Sequence, residues 1–212
     1  MLQVLSSVQA DPVKNVLPKE LNILVNDISL DMPSHMFAVY SRNVKAATRR
    51  RVTLFPMHSI VLASHCAHLP TLPPTPKVDA PDIPGSHVTV PVVPLCIPSA
   101  QAFPYLSAYL YTKRTDYLLA SLLPSPPAQL FNADHATLLQ FATKLAGTYT
   151  AQALLQHAAT VIGLWRNVCS LGVFDDGLWD TMDIAWEVIL TALAIGTGNP
   201  EAVLGPLVSP SE

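Results

Sequence analysis

Met36-Phe-Ala-Val-Tyr40 is apolar throughout, and in Arg51-Val-Thr-Leu-Phe55 polar and apolar positions alternate up to Leu54. Both runs are rich in β-branched and aromatic residues, so each predicts a strand. The polar, basic stretch Ser41–Arg50 between them has the character of a hairpin connection. Ser59–His68 then groups Ile60, Val61, Leu62 and Ala63, which predicts a short buried helix. Strand character resumes over His87–Val93. Ser99–Lys113 reads as a helix, with Pro104 tolerated only in the first turn, where an amide hydrogen has no helical acceptor. Phe103, Leu106, Leu110 and Tyr111 are expected on one face of it, packed beneath strands near Phe37, Val52 and Val90.

Three further helices are predicted after the proline cluster Pro124, Pro126 and Pro127. The first runs from Asp134, a good N-cap, to Gly147, a good stop, with Leu138, Leu139, Ala142 and Leu145 at helical spacing. The second runs from about Thr150 to Gly172, with Leu154, Leu155, Ala158, Val161, Ile162, Trp165 and Cys169 along one side. The third runs from about Asp176 to Gly196 and carries Trp179, Met182, Trp186, Ile189 and Leu193. Strands first and packed helices afterwards define an α+β class.

Proline divides the chain further. Pro12 and Pro18 break any long helix in residues 1–30, which we read as a peripheral N-terminal arm that pairs or docks. Between Leu69 and Gly85 lie Pro70, Pro73, Pro74, Pro76, Pro81 and Pro84. Proline fixes φ and lacks the amide donor, so this stretch is neither helix nor central strand. It reads as an extended insertion, 69–85, outside the core, and replacing Thr71–Asp82 by a Gly/Ser linker is expected to leave the melting temperature nearly unchanged. The resulting division is arm 1–30, interaction domain 31–172, an additional C-terminal helix over 173–197, and a frayed tail 198–212.

Composition sharpens this picture. The 212 residues are 50% apolar and only 13% charged, about half the usual charged share of ~25%. So few charges leave apolar surface for a partner to cover. A net charge of −3 is not that of a chain built to neutralise phosphates. Cys66, Cys96 and Cys169 are odd in number and form no CxxC, which points to a reducing compartment, hence an intracellular protein of nucleus or cytoplasm. Met1–Ala10 lacks the basic start and apolar run of a secretory signal, and Val188–Ile195 is too short to span a bilayer.

The candidate chemistry is sparse. His58, His65, Cys66 and His68 are zinc-ligand types, but no CxxC or paired His-x3–5-His accompanies them. The plainer account is preferred: His58 caps or orients a helix start and Cys66 packs as a small apolar group. No Gly-x-Ser-x-Gly, Gly-x-Gly-x-x-Gly or Walker loop occurs. Asp175, Asp176, Asp180 and Asp183 complement the positive end of the last helix. No enzyme activity, cofactor or metal is therefore expected. Arg42, Lys45, Arg49, Arg50 and Arg51 form the one basic patch, read either as a nuclear-import signal or as a solvated turn guarding a strand edge. Direct nucleic-acid binding is not expected of it, since no recognition helix accompanies it. Trp165, Trp179 and Trp186 are the candidate protein-binding anchors, tryptophan being enriched where interface energy concentrates.

The order of these segments resembles the BTB/POZ fold. The resemblance rests on His58 leading into Val61-Leu62-Ala63, on Val90-Pro91 at a strand end, on Phe103, Leu106 and Leu110-Tyr111, and on the helix pair Leu138–Leu145 and Ala153–Ile162. It covers roughly residues 36–165 and implies a protein-binding fold without an active site. The sequence departs from that family in its long proline-rich insertion and in lacking the charged pair that many dimerising members bury. Homo-oligomerisation therefore stays open. The same core with proline-rich spacers is also similar to the clampless-type regulators of basidiomycete sexual development. That resemblance implies a nuclear developmental regulator acting through transcription factors.

The reading is thus a non-enzymatic protein-interaction domain, a regulatory adaptor. The alternatives are a nucleic-acid-associated factor using Arg42–Arg51, or a Cys/His-dependent enzyme.

Overall fold

The computed structural model describes residues 17–25, 32–42, 51–74, 85–125 and 134–198. They form four strands, β1 (Glu20–Val25), β2 (His35–Ser41), β3 (Thr53–Met57) and β4 (Ser86–Ile97), and six helices. The helices are α1 (Ser59–His65), α2 (Phe103–Thr112), α3 (Thr115–Leu122), α4 (His135–Thr148), α5 (Ala151–Leu171) and α6 (Asp176–Gly196). The mixed α+β class holds. Two compact units divide the chain, one of residues 1–100 with 170–173 and one of 101–169 with 174–212.

In the first unit the strands order as β1-β4-β2-β3. β2 and β3 are an antiparallel pair, β4 lies parallel to β2, and β1 runs antiparallel to β4. Ile23, Val25, Met36, Ala38, Val88, Val90 and Val92 form one buried cluster. Their period of two puts them on a single face. On the other face Phe37, Val39, Val93 and Leu95 are also buried, so β2 is covered on both sides. Part of the supposed arm is therefore sheet, since Ile23 and Val25 of β1 belong to the core.

β4 is longer than its predicted core of His87–Val93, and it runs through Pro91 and Pro94. Its first half pairs with β1 up to Glu20↔Pro91, and its second half pairs with β2 from Met36↔Val92 onward. The amide of Val92 donates to Lys19 O at 2.8 Å, which aims even-numbered amides toward β1. Pro91 therefore faces the β2 side before that ladder begins, and Pro94 faces the β1 side after that ladder ends. Each missing donor falls where no acceptor waits.

The first unit also takes in Ser170–Val173. Ala67 N donates to Gly172 O at 3.1 Å and His68 N to Leu171 O at 2.9 Å, beside a bridge between Cys66 and Val173. Gly172 has φ +64°, a conformation only glycine adopts at no steric cost.

In the second unit α6 packs on α3 and α4. On α2 the buried residues are Phe103, Leu106, Tyr109 and Leu110, whereas Tyr111 is 37% exposed. Tyr109, not Tyr111, completes the face, because a helix turns Tyr111 well past the stripe that Phe103 and Leu106 define. α3 answers to no predicted element. Its Leu118, Leu119 and Leu122 are buried, and Lys113 in the left-handed conformation (φ 54°) separates it from α2. Asp134 caps α4 as expected, accepting from Thr137 N at 3.0 Å. Gly147 is not the stop, because α4 continues to Thr148 and ends at extended Tyr149, whose hydroxyl donates to Pro124 O at 3.0 Å. α6 spans its predicted residues.

In the insertion, Leu69–Pro74 is irregular in structure, with Leu72 and Pro73 half-buried, while 75–84 lie outside the described residues. Most of the tail, 199–212, likewise lies outside them.

Candidate interaction surface

On α5 the buried stripe is Leu154, Ala158, Val161, Leu164 and Val168, one helical period repeated. The expected face is thereby corrected, for Leu155, Trp165 and Cys169 do not share it. Leu155 is 51% and Trp165 48% exposed. With Ala159 exposed, Ile162 half-buried and Cys169 exposed, they form an outward apolar strip. Arg166 is the single charged residue among the 21 of α5. A solvent-facing helix side with so little charge is unusual in a monomer.

On α6 the buried residues include Leu178, Met182, Ala185, Ile189 and Ala192. Trp179 and Trp186 flank that stripe and are half-buried. Asp176, Asp180, Asp183 and Glu187 are exposed, and their spacing places them in one row. His135 Nδ1 stands 3.6 Å from Glu187 Oε1. Phe174, between α5 and α6, is 87% exposed.

The N-terminus of α6 is held by Asp175. Its carboxylate accepts from Leu178 N at 3.1 Å, from the Tyr109 hydroxyl at 2.6 Å and from Lys113 Nζ at 2.7 Å. Burial by itself would raise the Asp175 pKa, but the bonds from Lys113, Tyr109 and Leu178 N outweigh it and hold the group below the ordinary carboxylate value. Burial, then the bond to Asp175, pushes the Tyr109 hydroxyl up. This cluster is a helix cap joined to a hydroxyl and an ammonium, and it is structural. The sequence signalled the cap only through its run of acidic residues.

The histidine and cysteine group of the first unit is likewise dispersed into structural contacts. His58 occupies the N-cap of α1 but makes no side-chain capping bond. Ser34 does so instead, accepting from Ser59 N at 2.7 Å. Of the expectation that His58 caps or orients the helix start, the capping is thereby corrected: the Ser34 hydroxyl, just before β2, is the oxygen acceptor at that amide. Cys66 is buried, and the His68 ring lies against Gly172. Among the described residues no group of three His, Cys, Asp or Glu side chains could hold a metal.

One functional-looking residue escaped the sequence reading. His35 is 1% exposed, with Nδ1 2.9 Å from Ser34 Oγ and Nε2 2.9 Å from Pro73 O. A carbonyl only accepts, so Nε2 carries the proton, and in the neutral ring Nδ1 accepts from the Ser34 hydroxyl. A lone histidine opening a strand gives no sequence signal of such a partner. Of the basic patch, Arg42 and Arg51 are exposed. Lys45, Arg49 and Arg50 lie outside the described residues. Among the described residues no helix is long and apolar enough to cross a membrane.

A four-stranded sheet unit followed by a helical unit, with an apolar strip left exposed on α5, defines a mixed α+β protein. Comparison with known families agrees with the division. Residues 1–98 match the Clampless protein 1 N-terminal domain and residues 116–211 the Clampless protein 1 C-terminal domain. The chain belongs to the clampless protein family. Clampless protein 1 of two strains of Cryptococcus neoformans var. neoformans serotype D, JEC21 and B-3501A, is 29% identical over 126 residues. The match takes in 59% of this chain and 24% of each relative, so the matched stretch is about a quarter of the relatives' length. No solved structure matches.

Proposed function

We propose that this protein is a non-enzymatic interaction module, a regulatory adaptor that acts with transcription factors in fungal sexual development, in the nucleus or the cytoplasm. Membership of the clampless family supports the developmental part of the reading. The adaptor part rests on one observation, the apolar strip of α5 in which Leu155 and Trp165 stand half in solvent. The order of elements supports a BTB/POZ-like arrangement: β3 leads through His58 into α1, and β4 precedes α2 with buried Phe103, Leu106 and Leu110, although Val90-Pro91 lies within β4 and not at a strand end.

Trp165→Ala tests this reading. The variant should fold, losing no more than about 1–2 kcal/mol of stability, against ~3–5 kcal/mol for a fully buried tryptophan. It should also lose association in pull-down and sedimentation assays. Unchanged association would remove α5 as the binding surface and with it the support for the adaptor reading.

A further inference from the structure

Leu69–Pro74 has restricted backbone freedom at every position but one. Pro70, Pro73 and Pro74 have φ fixed by their rings. Leu69, Leu72 and Pro73 each precede a proline and are pushed toward extended or polyproline II geometry. Only Thr71 is free of both constraints. Leu69, Leu72 and Pro73 are half-buried and Pro70, Thr71 and Pro74 exposed, so Leu69/Leu72 and Thr71/Pro74 match at a spacing of three while Pro70/Pro73 do not. Three residues per turn is the repeat of the polyproline II helix.

The segment is also held at both ends. Upstream, Ala67 N and His68 N donate to Gly172 O and Leu171 O. Downstream, the buried His35 donates from Nε2 to Pro73 O at 2.9 Å, and its ring is backed by Ser34, which caps α1. Leu69, Leu72 and Pro73 are turned partly toward the protein. The edge of Thr71 and Pro74, with Pro70 beside it, is left to solvent.

We propose that Leu69–Pro74 is a preorganised polyproline II ligand, and that its partner is a protein domain whose aromatic-lined groove reads proline ridges. Such grooves gain from a ligand that has little conformational freedom left to lose. The inference rests on the reading that this chain works by binding proteins, but it uses a surface separate in sequence from the α5 strip.

The test is titration of the full chain against purified domains of the SH3, WW and EVH1 types, followed by fluorescence anisotropy. At least one domain should bind, and Pro70→Ala with Pro74→Ala together should weaken it by about tenfold or more, the loss of ~1.4 kcal/mol. The unfolding midpoint of that variant should match the parent's. If the double variant is destabilised, Pro74→Ala alone makes the same comparison at an exposed position. No binding by any domain at a dissociation constant below ~1 mM, or equal binding by parent and variant, overturns the proposal. If the ridge fails while Trp165→Ala still abolishes association, only this inference falls. If both fail, the adaptor reading falls with it.

Discussion

Gly172 shows how one residue without a side chain fixes a junction. Its φ of +64° already disfavours any other residue, and a Cβ there would stand 2.9 Å from His68 Nδ1 and 3.0 Å from Ala67 Cβ. Gly172→Ala should therefore cost about 1–3 kcal/mol, read as a lower midpoint in urea unfolding; an unchanged midpoint would refute the account of this junction. Asp175 carries a second residue-scale prediction. Its folded pKa lies below the ordinary aspartate value, so its stabilisation is fully present above about pH 4 and is lost as pH falls through the lower folded value. Asp175→Asn keeps a competent cap but weakens the bonds to Lys113 and Tyr109, and should cost about 1–2 kcal/mol at neutral pH. The exposed part of the Lys113 pair adds little to that. The variant should also lose part of the acid sensitivity of the parent, and pH profiles of the two that run parallel would sink this assignment.

At the scale of the element, α2 separates packing from surface within a single turn. Leu106 is fully buried, so Leu106→Ala should cost about 2–5 kcal/mol, whereas Tyr111→Ala should cost under about 1 kcal/mol. Thermal melts of the two variants that coincide would contradict the face drawn here. The proline-rich insertion needs a revised expectation. From composition alone a Gly/Ser linker over Thr71–Asp82 leaves the melting temperature unchanged. With Leu72 half-buried and Pro73 O held by His35, the swap releases a segment whose carbonyl satisfies a buried donor. We expect a loss of about 1–3 kcal/mol, and an unaltered melt would show that the His35 bond contributes nothing.

For the whole molecule, the first unit is not continuous in sequence. Cys66–His68 draws its backbone partners from Leu171–Val173, so a fragment ending at Ala100 leaves the Ala67 and His68 amides without those acceptors. Such a fragment should unfold with a shallower, earlier transition than the full chain, and an equally steep one would show that residues 170–173 are dispensable. The net charge of −3 leads to a further expectation. Duplex DNA should not bind the chain at physiological salt, and affinity rising steeply as salt is lowered would favour the nucleic-acid alternative.

Local order was legible in the residues alone: helix-period and strand-period runs, the Asp134 cap, the Pro104 first turn and the bounds of α6. Those signals lie within a few residues of one another, where backbone sterics and periodicity act. The family was also legible, because element order and proline spacing are linear properties. Which side of α5 and α6 is buried depended on long-range packing. Leu154 and Leu155, or Leu178 and Trp179, are adjacent and both apolar, and a neighbouring helix chooses between them. Likewise β1 became core through pairing with a strand some 65 residues later. Ser34, and not His58, became the cap of α1, and His35 found its acceptor in Pro73. In each case the deciding partner is distant along the chain, and periodicity carries no information about distant partners.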